Sequence, residues 1–266
     1  MAVGPNESPV PKVSMFSPVV AGLELVGECT MLLGDVARRL LRGRIEAGET
    51  LQQMSFVGVA SVPIVGLTTF ASGAVISLYS SEILVRYGAG NLVGAAVGLA
   101  VTREIAPVLA GIMVAARAGS AMAAQVGSME VTEQIDALRS LNVHPTSYLV
   151  VPRLLAGISM LPVLGLVGVY CGILGGYLVA TRIGGVPDGQ FWHSIRQFVE
   201  PWDAVGGLIK ATVFGLVVPL IACQQGLRTK GGAVGVGKAT TTTVVLSMVI
   251  IYMLNYFLTA GLYPPG

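Results

Sequence analysis

The chain has 266 residues, 53% of them apolar and 11% charged, with a mean hydropathy of +0.76. Soluble domains carry roughly a quarter of their residues as charges, so this composition excludes a soluble globular protein and calls for an integral membrane one. A net charge of +2 singles out no partner by itself, and nothing basic enough to suggest nucleic acid stands out.

In chain order, residues 1–18 hold Pro5, Pro9, Pro11 and Pro18 without periodicity, which predicts a flexible tail ahead of one domain over 19–266. The tail has no apolar h-region, so no cleavable signal peptide is expected. From Val19 to Leu41 the pattern is helical. Val19, Leu23, Val26, Leu33, Val36 and Leu40 share one face; Glu24, Glu28, Asp35, Arg39 and Arg42 share the other; Arg38, Arg39, Arg42 and Arg44 close it. Such a helix lies in a membrane interface or packs as a cytosolic helix on a partner.

Thr50 to Ser81 carries no charge and is long enough for one spanning helix, made kinkable by Pro63, Gly66 and Gly73, with a turn expected at Glu82 and Arg86. The second apolar segment, Tyr87 to Ala116, is interrupted by Arg103, Glu104 and Pro107. Its uncharged first part is only about 16 residues, short of a full span, so Arg103 must sit inside the bilayer or line a cavity. A run of small residues follows: Ala115, Ala116, Ala118, Gly119, Ala121, Ala123, Ala124 and Gly127. A polar helix is expected from Met129 to Leu141, with Val131, Ile135, Leu138 and Leu141 on one face and Glu130, Glu133, Gln134, Asp136 and Arg139 on the rest. Leu154–Thr181 is the third span, Ala204–Gly226 with Lys210 the fourth, and Ala239 to about Leu262 the fifth. Between the third and fourth, Phe191, Ile195 and Phe198, with Trp192 and Trp202, predict an aromatic helix at the outer interface.

With a cytosolic N-terminus, inside segments carry eleven Lys and Arg and outside loops three (Arg86, Arg182, Arg196), leaving Arg103 and Lys210 in the membrane. That asymmetry sets the N-terminus inside and, after five spans, the C-terminus outside.

Two constellations stand out. Arg103, Glu104 and Lys210 put two cations and one anion at comparable depth, and a charge in hydrocarbon costs about 2.5–3.5 kcal/mol on insertion scales. They form either an ion pair that staples two helices or a polar cavity whose spare cation meets an anionic headgroup. The polar helix is either a solvated connector or a knob that docks on a soluble subunit. Gly232 to Ala239, GAVGVGKA, is close to a phosphate-binding loop, but Ala239 replaces the Mg²⁺-binding hydroxyl and a span precedes it, so a glycine-rich turn is expected. Gly88-Ala89-Gly90 is weaker still as a dinucleotide motif. Cys29, Cys171 and Cys223 are far apart and look like small core residues, and His144 and His193 like isolated loop residues. No metal site, cofactor site or catalytic group emerges.

The stretch TREIAPVLAGIMVAARAGSAMAAQVGSMEVTEQIDALRSLNVHPTSYLVVPRLLA, residues 102–156, resembles the signature region of the MlaE/YrbE permease family, and GGAVGVGKATTTTVV, residues 231–245, resembles its second block. The likeness runs from about Val19 onward and is nearest in style to the YrbE permeases of actinobacterial Mce systems. It implies an all-α integral membrane protein: an N-terminal interfacial helix, five transmembrane helices, and a cytosolic coupling helix between the second and third. It implies the transmembrane subunit of an ABC-type lipid transporter of the bacterial inner membrane. Arg103 and Glu104 match the family's charged pair beside the lipid pocket and Lys210 the facing lysine. Glu130, Glu133, Gln134, Asp136, Leu138 and Arg139 fall on the ATPase-coupling helix. Expected partners are two cytosolic ABC ATPase subunits that bind ATP and Mg²⁺, a second YrbE-type permease in a heterodimer, MCE-domain proteins on the outer side, and a lipid such as a fatty or mycolic acid or a sterol, moved inward. Two departures are Asn255, where many relatives carry Asp, and Gln125, where Glu is common; the first puts an acid-dependent role there in doubt. Rival readings are an ion-coupled carrier using Glu104 and Lys210, disfavoured by the lack of a visible inverted repeat, and a scaffold for MCE proteins.

Overall fold

The structure, a computed structural model, describes residues 17–41 and 47–264, and these form a helical bundle without strands. Residues 1–16 of the expected tail and the basic residues Arg42 and Arg44 lie outside the described residues, while Ser17 and Pro18, the last two of that tail, open α1. Helix α1 (Ser17–Leu41) runs beside the bundle. The first span, Ala47–Arg86, is broken: α2 (Ala47–Val57) and α3 (Val62–Arg86) meet at a 3₁₀ turn over Val59–Ser61, and Pro63 sits in the first turn of α3, where its missing N–H costs nothing. The turn expected at Glu82 and Arg86 comes later. Both residues ride the last turn of α3, 4.0 Å apart, and the chain reverses at Tyr87–Ala89 through Gly88 at φ 74°.

The second span is one helical rod, α4 (Gly90–Val131), of 42 residues. It does not end at Ala116, because the small-residue run continues as helix. Ala115, Ala118 and Ala123 are fully buried, and without bulk there α4 lies close along its neighbours. The rod widens into π turns at Val101–Ile105 and Ala115–Gly119. The expected polar helix from Met129 to Leu141 is divided. Met129–Val131 complete α4, Glu133 breaks the chain at φ 59°, and α5 (Gln134–Ser140) is a separate short helix. The break turns Ile135 inward onto Val126, Leu149 and Leu154. At the far end of α5, Asn142 takes φ 60° and the Val143 N–H bonds to the Leu138 carbonyl, a left-handed stop that leaves Leu141 73% exposed instead of on the buried face.

The remaining spans are α6 (Thr146–Arg182), α8 (Pro201–Leu227) and α9 (Gly232–Leu262), with the short α7 (Asp188–Phe198) between α6 and α8. The expected glycine turn at Gly232–Ala239 is instead the opening of α9, and His193 is on α7 rather than in a loop. Glycines set the central crossings. A Cβ at Gly73 of α3 would collide with the Gly172 carbonyl of α6, and one at Gly157 of α6 with the Gly215 carbonyl of α8. Helix α9 is buried along a stripe four residues apart, Ala239, Thr243, Ser247 and Ile251, while Tyr252, Met253, Tyr256 and Phe257 stay uncovered.

Helix α7 is the predicted aromatic helix. Phe191 is buried against Tyr177, Trp192 is half out, and the Ser194 hydroxyl accepts the Ala95 N–H near the start of α4. Helix α1 docks differently from its helical-wheel pattern. Leu33, Val36 and Leu40 pack inward, but Leu23 and Val26 face out, while the nominally polar-face Glu28 receives the Gln224 side-chain amide at 2.7 Å and pairs with Arg228 at 3.5 Å. Nearby, Arg39 bridges Asp35 at 2.9 Å and the Ser147 hydroxyl at 3.0 Å.

Candidate functional site

The first π turn of α4 carries both Arg103 and Glu104. Pro107 explains part of its chemistry: lacking an N–H, it cannot bond the carbonyl four residues back, that of Arg103. The Lys210 ammonium takes that orphan carbonyl at 2.8 Å. Lys210 comes from α8, is fully buried, and spends its other donors on Glu104 Oε1 and Thr259 Oγ1, each at 2.7 Å. Three acceptors for three ammonium protons make a buried lysine tolerable.

Glu104 is held on both oxygens. Oε1 takes Lys210 and the Thr259 hydroxyl (2.9 Å), and Oε2 takes the Asn255 side-chain amide at 2.7 Å. Asn255 and Thr259 continue the four-residue stripe of α9, so three spans close on one carboxylate. An amide at 255 donates to Glu104, where an unprotonated Asp would place a second anion against it.

The spare cation expected from two positive charges and one negative does not exist. Arg103 Nε pairs with Asp203 Oδ1 at 2.7 Å, and the Arg103 guanidinium lies over the Tyr263 ring, 4.5 Å from its centroid. Asp203 also accepts the Glu200 N–H at 2.9 Å in a capping box that opens α8 at Pro201. Asp203, Thr259 and Tyr263 are absent from the sequence reading. Asp203 was legible in principle, because Glu-Pro-x-Asp is a helix-start signature that moves the boundary of the fourth span three residues earlier.

A cavity of about 530 Å³ opens beside this network, walled by Ser72, Val75, Ile76, Val108, Leu109 and Tyr252, with Glu104 and Asn255 as its polar end. Of the three charged residues read as substrate-binding, only Glu104 lines it. Lys210 reaches it through Glu104, and Arg103 lies to one side with its side chain 37% exposed. A mostly apolar lining with one charge-neutralised polar edge suits an amphiphile.

The residues read as a coupling site sit elsewhere. Glu130 ends α4, Glu133 forms the break, and Gln134, Asp136, Leu138 and Arg139 are on α5. Along α4, Glu104 and Glu130 are about 40 Å apart at 1.5 Å per residue. Gln134, Asp136 and Arg139 face solvent, Asp136 and Arg139 pair at 2.8 Å, and Leu138 packs inward. The uncovered face of α5 is thus polar.

Five long apolar helices around a buried ionic network define a multi-pass membrane protein with an intramembrane polar site. Residues 50–260 match the family Permease MlaE, and the chain belongs to that family. It is 41% identical over 227 residues to a "Probable ABC transporter permease protein" of Synechocystis sp., covering 85% of this chain and 86% of that one. It is 35% identical over 217 residues to "Intermembrane phospholipid transport system permease protein MlaE" of Haemophilus influenzae, covering 81% and 83%. It is 36% identical over 230 residues to the chloroplastic protein TRIGALACTOSYLDIACYLGLYCEROL 1 of Arabidopsis thaliana, covering 86% and 66%. The chain is thus a permease of the ABC-transporter type with relatives in lipid transport.

Proposed function

We propose that this permease moves a lipid through the cavity beside Glu104, driven by ATP hydrolysis on separate subunits. The supporting observation is the cavity itself: apolar walls for acyl chains meet a carboxylate whose charge Lys210 balances. A headgroup there finds the Asn255 amide and, at the edge, the Nη donors of Arg103, which lie outside its Nε contact with Asp203 although Asp203 balances the charge. Arg103, Glu104 and Lys210 are the substrate residues of this reading: Glu104 by contact, Lys210 by holding Glu104, Arg103 by donating hydrogen bonds to a headgroup at the cavity's edge.

Two ABC ATPase subunits, with their ATP and Mg²⁺, dock on the polar face formed by the exposed Glu133, Gln134, Asp136 and Arg139 with the half-buried Glu130 at its edge, and Leu138 anchors α5 beneath it. A second YrbE-type permease, different in sequence, covers the apolar faces of α3 and α9 that flank the cavity; the exposed Val75, Tyr79, Tyr252 and Tyr256 support that placement. MCE-domain proteins sit on the α7 side. The N-terminus is cytosolic and the C-terminus outside, in the bacterial inner membrane. The cargo is a fatty or mycolic-type acid or another lipid, and the direction is import.

Gentle purification from native membranes, with mass spectrometry of co-purifying proteins and lipids, tests this reading. An ATPase, a second permease and a bound lipid are expected together. Charge reversal at Glu133 and Asp136 should lose the ATPase and keep the lipid; Arg103→Ala with Lys210→Ala should do the opposite. Normal ATPase binding and turnover after the reversal overturns the coupling assignment, and unchanged lipid content after the alanine pair leaves the charges as a helix staple.

A further inference from the structure

A second polar feature lies toward the α5 end, roughly 30 Å along α4 from Glu104. Arg153, the eighth residue of α6, is only 5% exposed. Its Nη1 donates to the Leu149 carbonyl at 2.7 Å and its Nη2 to Gln125 Oε1 at 3.3 Å, while its buried Nε finds no acceptor. Among the described residues no Asp or Glu pairs with it. A guanidinium cannot escape this by losing its proton, so the chain holds a buried positive charge that a carbonyl and an amide only partly compensate.

The charge borders open space. A cavity of about 500 Å³ is lined by Arg153, Gln125, Ser128, Ala124 and Met129. Gln125 and Ser128 are exposed on the α4 side, so the mouth is polar and accessible. Gln125 stands six residues before the end of α4 and Arg153 seven after the start of α6, which puts both about 10 Å inside the helix ends. Helix α4 is about 63 Å long and the hydrocarbon core about 30 Å, so with the rod centred in the bilayer that depth is the headgroup layer. What is missing is an acceptor with two or more oxygens: an oxyanion takes the free Nε–H and a second Nη–H together, the forked contact in which Arg excels.

We propose that Arg153 and Gln125 form an oxyanion site that takes phosphate, either on a phospholipid headgroup in the leaflet at the α5 end or as the free ion. The site is separate from the Glu104 cavity and stands whether or not that cavity carries cargo. Ser128 supplies a hydroxyl at its mouth, and Met129 and Ala124 give the apolar border along which the first carbons of a lipid lie.

The test uses the full chain with its co-purifying subunits in dodecyl maltoside, free of phosphate. Thermal unfolding is followed with a thiol-reactive dye through Cys223, which is fully buried in the fold. Three arms are compared at equal ionic strength: chloride alone, inorganic phosphate, and chloride with phosphatidylglycerol. The control is Gln125→Glu, which sets a carboxylate where the amide oxygen already lies 3.3 Å from Nη2 and so fills the site from within. It also cancels the general stabilisation that phosphate gives any fold by surface exclusion. The wild type is expected to gain about 5 °C more than the variant when the occupant is well above its dissociation constant, and the variant to start higher in chloride. A gain with phosphatidylglycerol alone identifies the headgroup, a gain with phosphate alone the free ion, and a gain with both the shared chemistry. No gain in either arm, or equal gains in wild type and Gln125→Glu, overturns the site.

Discussion

Replacing Lys210 with Met isolates the ionic network, because Met keeps most of the side-chain volume and removes the charge. Three hydrogen bonds vanish with it, to Glu104, Thr259 and the Arg103 carbonyl. The carbonyl left by Pro107 is orphaned again, and Glu104 remains charged with only the Asn255 amide and the Thr259 hydroxyl. Removing one partner of a fully buried pair costs about 3–5 kcal/mol. Glu104 is 39% exposed toward the cavity and keeps some solvation, which brings the expected loss to about 2–3 kcal/mol. Adding Glu104→Gln removes the stranded charge and leaves an amide that still bonds Asn255 and Thr259. The double variant should therefore be more stable than Lys210→Met alone, with a coupling energy of about 1–2 kcal/mol. The assay is a double-mutant cycle in reversible unfolding from mixed micelles. Additive single effects, or a Lys210→Met protein as stable as the wild type, would refute the view that Glu104 depends on Lys210.

Three further outcomes follow from the packing. Arg117, in the second π turn of α4, donates through Nε to the Ser61 hydroxyl at 3.0 Å and through Nη2 to the Phe56 carbonyl, bridging the break between α2 and α3; Arg117→Ala should cost about 2 kcal/mol and Arg117→Lys should not restore it, and a fully stable Lys variant would show that the forked contact is dispensable. Gly73→Val should lose about 1–3 kcal/mol or disturb the α3–α6 crossing, since the added Cβ meets backbone that cannot move aside; an unperturbed melt would mean that the helices separate freely. Burial alone would raise the Asp35 carboxyl, but hydrogen bonds from Arg39 and Thr146 and the charges of Arg39 and His144 outweigh it and hold the group below its ordinary value. The docking of α1 that depends on this carboxylate is thus complete above about pH 4 and is lost as pH falls through the lower folded value, and amide exchange of α1, corrected for intrinsic rates, should show protection at pH 5 that declines as pH falls below about 4. Protection unchanged after the carboxylate is protonated would place the anchor of α1 elsewhere, on the packing of Leu33, Val36 and Leu40.

The spans were legible because an uncharged run of about 20 residues has few alternatives, and the five expected from hydropathy are the five that form. Boundaries were harder. The run from Ala115 to Gly127 reads as neither apolar span nor polar loop, and only its burial beneath α8 and α9 shows that small residues here extend a helix. Glu133 and Asn142 both adopt the left-handed region, which no period in the sequence announces. Arg103, Glu104 and Lys210 stood out because charge in an apolar run is conspicuous, and they do come together. Their partners are polar but ordinary residues at span ends: Asp203 hides beside a loop, and Thr259 and Asn255 look like routine polar breaks in α9. Pairwise charge counting therefore predicted a spare cation that a neighbouring helix start had already neutralised.

Helix α4 is the described element that joins the cavity to α5, and its two π turns show how such a rod can be both stiff and adjustable. Each π turn adds one residue to a turn of the helix and loosens its regular backbone bonding. At each, a basic side chain on the rod engages a place where another helix is interrupted: Arg103 meets the start of α8, and Arg117 meets the gap between α2 and α3. A shift of α4 along its axis must therefore break or re-aim both contacts together, and it carries Glu104 in the cavity wall along with Glu130 near the other end of the rod. The glycine crossings of α3, α6 and α8 leave little room for those helices to slide, because their backbones already touch. A Cβ at Gly207 of α8 would likewise meet the Thr102 carbonyl of α4, whereas none on α4, α6 or α8 would meet the backbone of α9, so motion between the two ends of the bundle is expected in α9 against α4, through Asn255 and Thr259 on Glu104. A disulfide that fixes α4 to α9 at this level should stop it while leaving the fold intact.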